Sequence, residues 1–198
     1  MPTTDVIDRL LEVAPGSPLD RVRAARPEAR ANSQRSYEAL FAPVDDSHVS
    51  ITERLAVATF VARLHQVAPV ADHYAVALAV EDSELLALVV GEADRGVGTG
   101  PYGVYRESGL ATESVPGRAF DVSPLAAEEL GPRLSAALEH AHLLVLRPRE
   151  ASAAALQRLL DAGWSQTGIV TLSQLVAFLS FQIRAIHGLQ VLAGAGES

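Results

Sequence analysis

Residues 50–80 have the sequence SITERLAVATFVARLHQVAPVADHYAVALAV, which carries two helix-start signals. Ser50 and Glu53 match the S-x-x-E capping box, in which each side chain binds a free backbone N–H at a helix start. A helix is therefore predicted from Ile51 to about Gln66. Pro69 is placed to open a second helix that runs to about Val80. The segment is predicted to form a helical hairpin with a short turn.

Helical patterns also dominate the rest of the chain, and strand patterns are few. Ser83 is predicted to cap a short helix that ends at Gly91, and the glycine-rich residues 91–123 lack periodicity and are predicted to form a long loop. Helices resume at Ser123 and continue to a last, very apolar helix that begins at Ser165 or Thr171 and is closed by Gly188. We expect one all-α domain over 1–198, with an N-terminal half of about 1–90, the loop of about 91–123 and a C-terminal half of about 124–192.

Composition excludes several classes of protein. The 198 residues are 48% hydrophobic and contain no cysteine, so the chain can bury a core but supplies no thiolate for peroxidase or disulfide chemistry. Its net charge of −8 repels phosphate backbones, which argues against a nucleic-acid partner. Asp5 and Asp8 stand where a signal peptide carries positive charge, and no apolar run approaches membrane-spanning length. We expect a cytoplasmic protein with no membrane partner.

A glycine motif in the loop has two interpretations. Gly98-Thr99-Gly100-Pro101-Tyr102-Gly103 matches the G-x-G-x-x-G dinucleotide fingerprint. The fingerprint needs a strand before it and a helix after it, and Pro101 removes one of the amides that would bind pyrophosphate. The pattern therefore favours a turn-rich loop, and no cofactor is expected.

The hairpin carries the candidate catalytic residues His73, Glu53 and His65. A carboxylate and an imidazole that meet across a hairpin could relay a proton, because histidine titrates near neutrality. Two structural interpretations compete with this one. The capping box already explains Glu53, and a histidine on an apolar helix face is more often a core residue than a catalyst.

A second histidine cluster follows Leu138. Neighbouring positions on a helix do not face each other, so His140 and His142 could share a metal ion only on a strand. The leucine periodicity favours a helix, and the cluster is interpreted as a solvated helix end. No metal site is expected.

Three stretches resemble a known family. Ser50-Ile51-Thr52-Glu53-Arg54-Leu55-Ala56-Val57-Ala58 through His73 is similar to the core helical hairpin of the carboxymuconolactone decarboxylase family, also called the alkylhydroperoxidase D-like family. Residues 163–189 resemble that family's later helices. Arg35-Ser36-Tyr37-Glu38-Ala39-Leu40-Phe41-Ala42-Pro43 resembles a subgroup of about this length. The resemblance implies an all-α alkylhydroperoxidase D-like bundle that assembles into homo-oligomers.

The resemblance fails at the family's redox site. Peroxidase members carry C-x-x-C-x-x-x-H with a glutamate about a dozen residues upstream. If His73 takes the histidine position, the cysteine positions fall on Gln66 and Pro69, and the glutamate position falls on Arg54. Only the histidine transfers, so thiol-dependent peroxidase activity is not expected.

Two functions remain open. One is cofactor-free acid/base chemistry on a small organic substrate, such as lactone decarboxylation, with His73 as acid or base and Glu53 or His65 assisting. The other is a non-catalytic oligomeric binding or assembly protein on the same scaffold. A cavity at His73 with a carboxylate in reach would favour the first function, and a filled core around His73 would favour the second.

Overall fold

The computed structural model describes residues 5–195, which form helices and no strand. A single antiparallel bridge joins Gly103 and Val115. The prediction of an all-α protein is confirmed. Residues 1–4 and 196–198 of the predicted domain lie outside the described part. The α-helices are α1 (Val6–Leu10), α2 (Pro18–Ala24), α3 (Pro27–Phe41), α4 (Ile51–His65), α5 (Ala68–Glu81), α6 (Ser83–Gly96), α7 (Pro124–Leu146), α8 (Ala153–Asp161) and α9 (Gln166–Ala195), with 3-10 turns at Ser108–Glu113 and Pro148–Glu150.

Helix α4 is the central element. The Ser50 hydroxyl accepts the Glu53 N–H at 3.2 Å and the Glu53 carboxylate accepts the Ser50 N–H at 2.8 Å, so the capping box forms. Every residue from Arg54 to Ala62 is buried, because α5, α6, α7 and α9 all pack around α4. A helix that is apolar on all sides belongs in the core.

The predicted hairpin is present. Helix α4 ends at His65, and Gln66 turns the chain with a left-handed φ of 56°. Pro69 then lies in the first turn of α5, where its missing N–H costs nothing.

Other predicted boundaries are wrong. Helix α6 continues past Gly91 to Gly96, so the irregular segment begins at residue 97 rather than 91. Helix α9 begins at Gln166, which excludes the later start at Thr171, and it passes Gly188 to Ala195. Within α7, by contrast, Gly131 has non-helical backbone angles (φ 72°, ψ 167°), so the helix is interrupted there and resumes at Pro132.

Both halves of the chain contribute to one hydrophobic core. Phe60 of α4 packs on Phe120 at 5.5 Å between ring centres. Leu138 of α7 and Leu179 of α9 belong to the same buried cluster. Since α4 packs on helices from both halves, neither half has a separate core.

Helix α9 is longer and more apolar than expected from the sequence, in which no apolar run approached membrane-spanning length. Of the described residues, only Gln166–Gly194 is long and apolar enough to cross a bilayer, by length and composition alone. Half of its most apolar window is buried inside the bundle. A buried core helix passes the same test, so this observation assigns no membrane role.

Candidate functional site

His73 lies in the second turn of α5 and faces α3. Its Nε2 atom is 3.0 Å from the Tyr37 hydroxyl oxygen. The two helices come together here because Tyr37 and Phe41, one turn apart on α3, both point toward α5. Among residues 5–195, the hydrogen bond to Tyr37 is the one side-chain hydrogen bond of the His73 ring.

Aromatic rings surround His73. Its ring centre is 4.9 Å from that of Tyr74 and 6.0 Å from that of Tyr37. The ring centre of Phe41 lies 5.0 Å from that of Tyr74 and 5.1 Å from that of Tyr37. The rings are tilted relative to one another and form a packed aromatic cluster. The buried Tyr74 hydroxyl donates to the Gln182 side-chain oxygen at 2.6 Å and ties the cluster to α9.

The surroundings keep these groups neutral. Burial lowers the pKa of His73 to about 4, and the nearby positive charge of Arg9 acts in the same direction. Burial also raises the pKa of Tyr74 well above its ordinary value. At neutral pH the site therefore holds an uncharged imidazole beside the neutral Tyr74 phenol.

Glu53 and His65 lie elsewhere. Twelve residues of helix separate them, which corresponds to roughly 18 Å along α4. Glu53 is held at the helix start by Ser50 and by an ion pair with Arg133 at 2.5 Å. The His65 Nε2 atom is buried without a hydrogen-bond partner, and burial, then Arg184, lower the pKa of His65 to about 4. No hydrogen bond, ion pair or ring contact of the described residues joins His73, Glu53 and His65 to one another.

Arg54 occupies the position where the resemblance places a glutamate. Its buried guanidinium donates to the backbone oxygens of Val49 and Leu40, each at 2.9 Å. Burial lowers the pKa of this arginine. The Arg54 side chain therefore holds the backbone that precedes α4 in place, and it supplies no carboxylate to His73.

Of the predicted site residues, only Glu53 lines one of the cavities found in the described residues. His73 and His65 line none of five such cavities in residues 5–195. Glu53 lines an open cleft of about 490 Å³ with His48, Arg133 and Ser165. In that cleft the Ser165 hydroxyl lies 3.0 Å from His48 Nδ1 and also accepts the Gly168 N–H, which caps α9. These contacts hold the entries of α4 and α9 together.

The predicted solvated helix end at His140 and His142 is wrong. Both histidines are buried in α7. His140 Nε2 is 3.3 Å from the Ser173 hydroxyl, and His142 Nε2 is 3.0 Å from the Gly96 carbonyl oxygen. His142 also stacks on Phe120. Within residues 5–195, no group of three or more metal-ligating side chains could hold an ion.

The glycine motif serves close packing. The Tyr102 N–H donates to the Leu146 carbonyl oxygen at 2.6 Å, which brings the loop against the end of α7. A Cβ atom at Gly100 would lie 2.7 Å from that same oxygen. Helix α7 follows only at Pro124, so the motif lacks the helix that a dinucleotide site requires.

Two partners of the His73 cluster were not among the predicted site residues. Tyr37 and Gln182 both fall within stretches of family likeness, where neither stands out as a site residue. They lie 36 residues from His73 and 108 residues from Tyr74, respectively. A helical period does not connect positions so far apart.

Comparison with known proteins gives no relative. No protein-family model, no curated protein and no solved structure matches this chain.

Proposed function

We propose that the chain is a thiol-free protein with the alkylhydroperoxidase D-like bundle, and that it acts by assembly with copies of itself rather than by catalysis. The α4–α5 hairpin with a histidine in the second turn of α5 supports the family likeness. The proposal includes a homo-oligomer in the cytoplasm, with neither nucleic acid nor membrane as a partner.

The filled aromatic surroundings of His73 carry this proposal. A general base works best when its pKa lies near the working pH, whereas the pKa of His73 is about 4. Rings from α3 and α5 occupy the space that a substrate would need. Glu53, the carboxylate that could assist, is bound by Arg133. His73 is better explained as a half-buried residue that packs against the core than as a catalyst.

The Tyr37–His73 hydrogen bond favours a second candidate function, which is acid/base chemistry on a small organic molecule. His73 is only partly buried, so a substrate that displaced Tyr37 could reach Nε2. This function requires activity that depends on both Tyr37 and His73.

A stability measurement on His73→Ala separates the two functions. If His73 is a core residue, truncation leaves a gap in the aromatic cluster and lowers the unfolding free energy by about 1–3 kcal/mol. Tyr37→Phe keeps the ring and loses only the hydroxyl, so it should cost about 1 kcal/mol or less. Urea unfolding followed by circular dichroism measures both. A His73→Ala protein of unchanged stability that has lost a catalytic activity would overturn the assembly proposal.

Enzyme assays test the same point from the other side. Without a thiol, we expect no reduction of cumene hydroperoxide by dithiothreitol in metal-free protein, because no peroxidatic or resolving cysteine exists. We also expect no decarboxylation of a carboxymuconolactone. Turnover of the lactone that disappears in His73→Ala would establish the acid/base function instead.

A further inference from the structure

Helix α9 has an exposed strip that runs along its outer side. Its positions are spaced alternately by four and three residues, as in the seam of a coiled coil. Val170 is 57% exposed and Phe181 is 51% exposed. The strip consists of Val170, Gln174, Ala177, Phe181, Arg184 and Gly188, all of them exposed.

The composition of α9 is unusual for a solvent-facing helix. The chain has 24 acidic residues, yet none lies between Gln166 and Ala195, and Arg184 is the one lysine or arginine there. Surface helices ordinarily carry charges on the side opposite the core. An exposed apolar strip of this kind usually marks an interaction surface.

We propose that the α9 strip pairs with the α9 strip of a second copy of this chain, in antiparallel orientation about a two-fold axis near residue 179. This inference rests on the proposed assembly function and names its surface. In that register Phe181 faces Ala177 of the second copy, Val170 faces Gly188, and Gln174 faces Arg184.

Each of these pairs is complementary. Both apolar pairs put a large side chain against a small one, so the two helices can approach closely. The polar pair puts the Arg184 guanidinium, a donor only, against the Gln174 side-chain oxygen, an acceptor. Within one copy the Arg184 guanidinium donates to the Ser180 carbonyl oxygen at 3.3 Å. Because the axis is two-fold, each pair occurs twice, as an isologous interface requires.

The same arrangement disfavours a bilayer as the occupant. Gln174 and Arg184 would both face hydrocarbon, where a charged side chain costs at least about 2.5 kcal/mol. The opposite side of α9 is fixed in the bundle, where Gln182 accepts from Tyr74.

The size of the strip limits the surface area that the dimer can bury. With Thr167 and Val191 at its ends, the strip is about 36 Å long and about 10 Å wide, a projected area of roughly 360 Å² per copy. Stable interfaces bury about 800 Å² per partner. We therefore expect a weak dimer that dissociates at micromolar concentrations.

Cross-linking tests the register directly, because the chain has no cysteine of its own. Val170→Cys and Gly188→Cys are prepared separately, and a Cβ at Gly188 meets open space. In the antiparallel pair, two copies of either variant keep their thiols about 27 Å apart. A short bismaleimide should link the mixture of the two variants and neither variant alone. Linking of each variant alone would show a parallel pair and overturn the proposal.

Charge variants test the polar pair in solution. Gln174→Glu adds two ion pairs per dimer with Arg184, and we expect the dissociation constant to fall about fivefold at low salt. The variant also makes each copy more negative. If the copies associated through a non-specific patch, charge repulsion would therefore weaken the dimer instead. Ala177→Arg fills the position that Phe181 enters and should weaken the dimer at least about tenfold. Val80→Arg, at an 82% exposed site on α5, is the matched control and should change nothing.

Sedimentation velocity over a concentration series measures these constants. A wild-type protein that stays monomeric at all concentrations contradicts the proposed assembly function and this interface together. If the dimer forms but its dissociation constant is unchanged by Gln174→Glu and by Ala177→Arg, the assembly function stands and the α9 interface is overturned. The protein is also tested for flotation with phosphatidylcholine vesicles. If it floats with them and Ala177→Arg abolishes the flotation, the strip binds a membrane and the proposal is overturned.

Discussion

Arg133 joins three parts of the chain through a single side chain. Its guanidinium pairs with Glu53 at 2.5 Å and donates to the backbone oxygens of His48 at 2.7 Å and Gly163 at 3.0 Å. It also stacks on the Trp164 ring at 3.9 Å from the centroid. The planar, five-donor guanidinium can make all of these contacts at once, whereas an ammonium cannot. Arg133 therefore fixes the start of α4 against α7 and the entry to α9.

Replacing Arg133 should be costly for stability. We expect Arg133→Ala to lower the unfolding free energy by about 2–4 kcal/mol, because Glu53 loses its partner and Trp164 loses its stacking contact. Arg133→Lys should recover little of this loss. Urea denaturation gives both values.

The control for this prediction is the Arg63–Asp94 pair at 2.7 Å, in which the Asp94 side chain is 57% exposed, against 19% for Glu53. Exposed ion pairs contribute at most about 1 kcal/mol, so Arg63→Ala should have a small effect. Equal losses at Arg133 and Arg63 would mean that Arg133 acts as an ordinary surface residue.

At the scale of elements, the segment from 97 to 123 is anchored although it is mostly irregular. Gly103 and Val115 exchange backbone hydrogen bonds at 2.8 and 3.3 Å, which closes the segment on itself. The Arg149 guanidinium lies 3.8 Å from the centre of the Tyr105 ring and holds the segment to the 3-10 turn that follows α7. These contacts require the backbone to approach closely at particular glycines.

Alanine substitutions at these glycines should have unequal effects. A Cβ at Gly117 would lie 2.4 Å from the Tyr102 Cβ, and one at Gly100 would lie 2.7 Å from the Leu146 carbonyl oxygen. Both contacts are with fixed atoms, so the backbone must shift, and we expect losses of about 1–3 kcal/mol. Gly109 has open space around it and serves as the control, with little expected change. Thermal unfolding of the three variants checks the order, and a loss at Gly109 as large as at Gly117 would contradict it.

Local signals explain which elements could be predicted. The capping box at Ser50 acts within four residues, so the start of α4 could be recognised from sequence. Gly91 and Gly188 have the residue type of a helix end but not the positive φ that such an end uses. Beyond Gly91, the buried Glu92 accepts the Ser123 N–H at 3.1 Å, and this distant contact lies on the last turns of α6. Tertiary contacts of this kind are invisible to a pattern that spans one or two turns.

The candidate site was predictable only in part for the same reason. His73 could be singled out from the sequence, since it lies in a recognisable hairpin. Its pairing with Tyr37 depends on how α3 crosses α5, which no local pattern encodes. The expected help from Glu53 required the far end of α4 to reach His73, and Arg133 binds that carboxylate instead.

Over the whole molecule, four buried or half-buried histidines form a common electrostatic feature. Burial is the largest cause that lowers the pKa of His65, His73 and His140, each to about 4. Burial also lowers the pKa of His142. In the unfolded chain a histidine titrates near 6.5. The folded protein therefore binds fewer protons than the unfolded chain between about pH 4 and pH 6.5.

This difference predicts acid unfolding in a defined window. Because the folded pKa lies below the unfolded one, the neutral histidines contribute their stability above pH 6.5 and lose it as the pH falls toward 4. The four histidines act in the same direction, so the free energy of unfolding should fall steadily over this range. The raised pKa of Glu139, caused by burial, opposes the loss slightly. We expect unfolding between pH 4 and 6, above the range where the lowered pKa of Asp20 takes effect.

Removing one histidine should shift that transition. His65 has a buried Nε2 atom without a partner, so His65→Leu removes both an unpaired polar atom and a proton acceptor of the unfolded chain. We expect its acid midpoint, followed by circular dichroism, to move down by roughly half a pH unit. His187→Gln, at an exposed position, should leave the midpoint where it is. If both variants moved the midpoint equally, the transition would depend on the number of histidines in the chain and not on their burial.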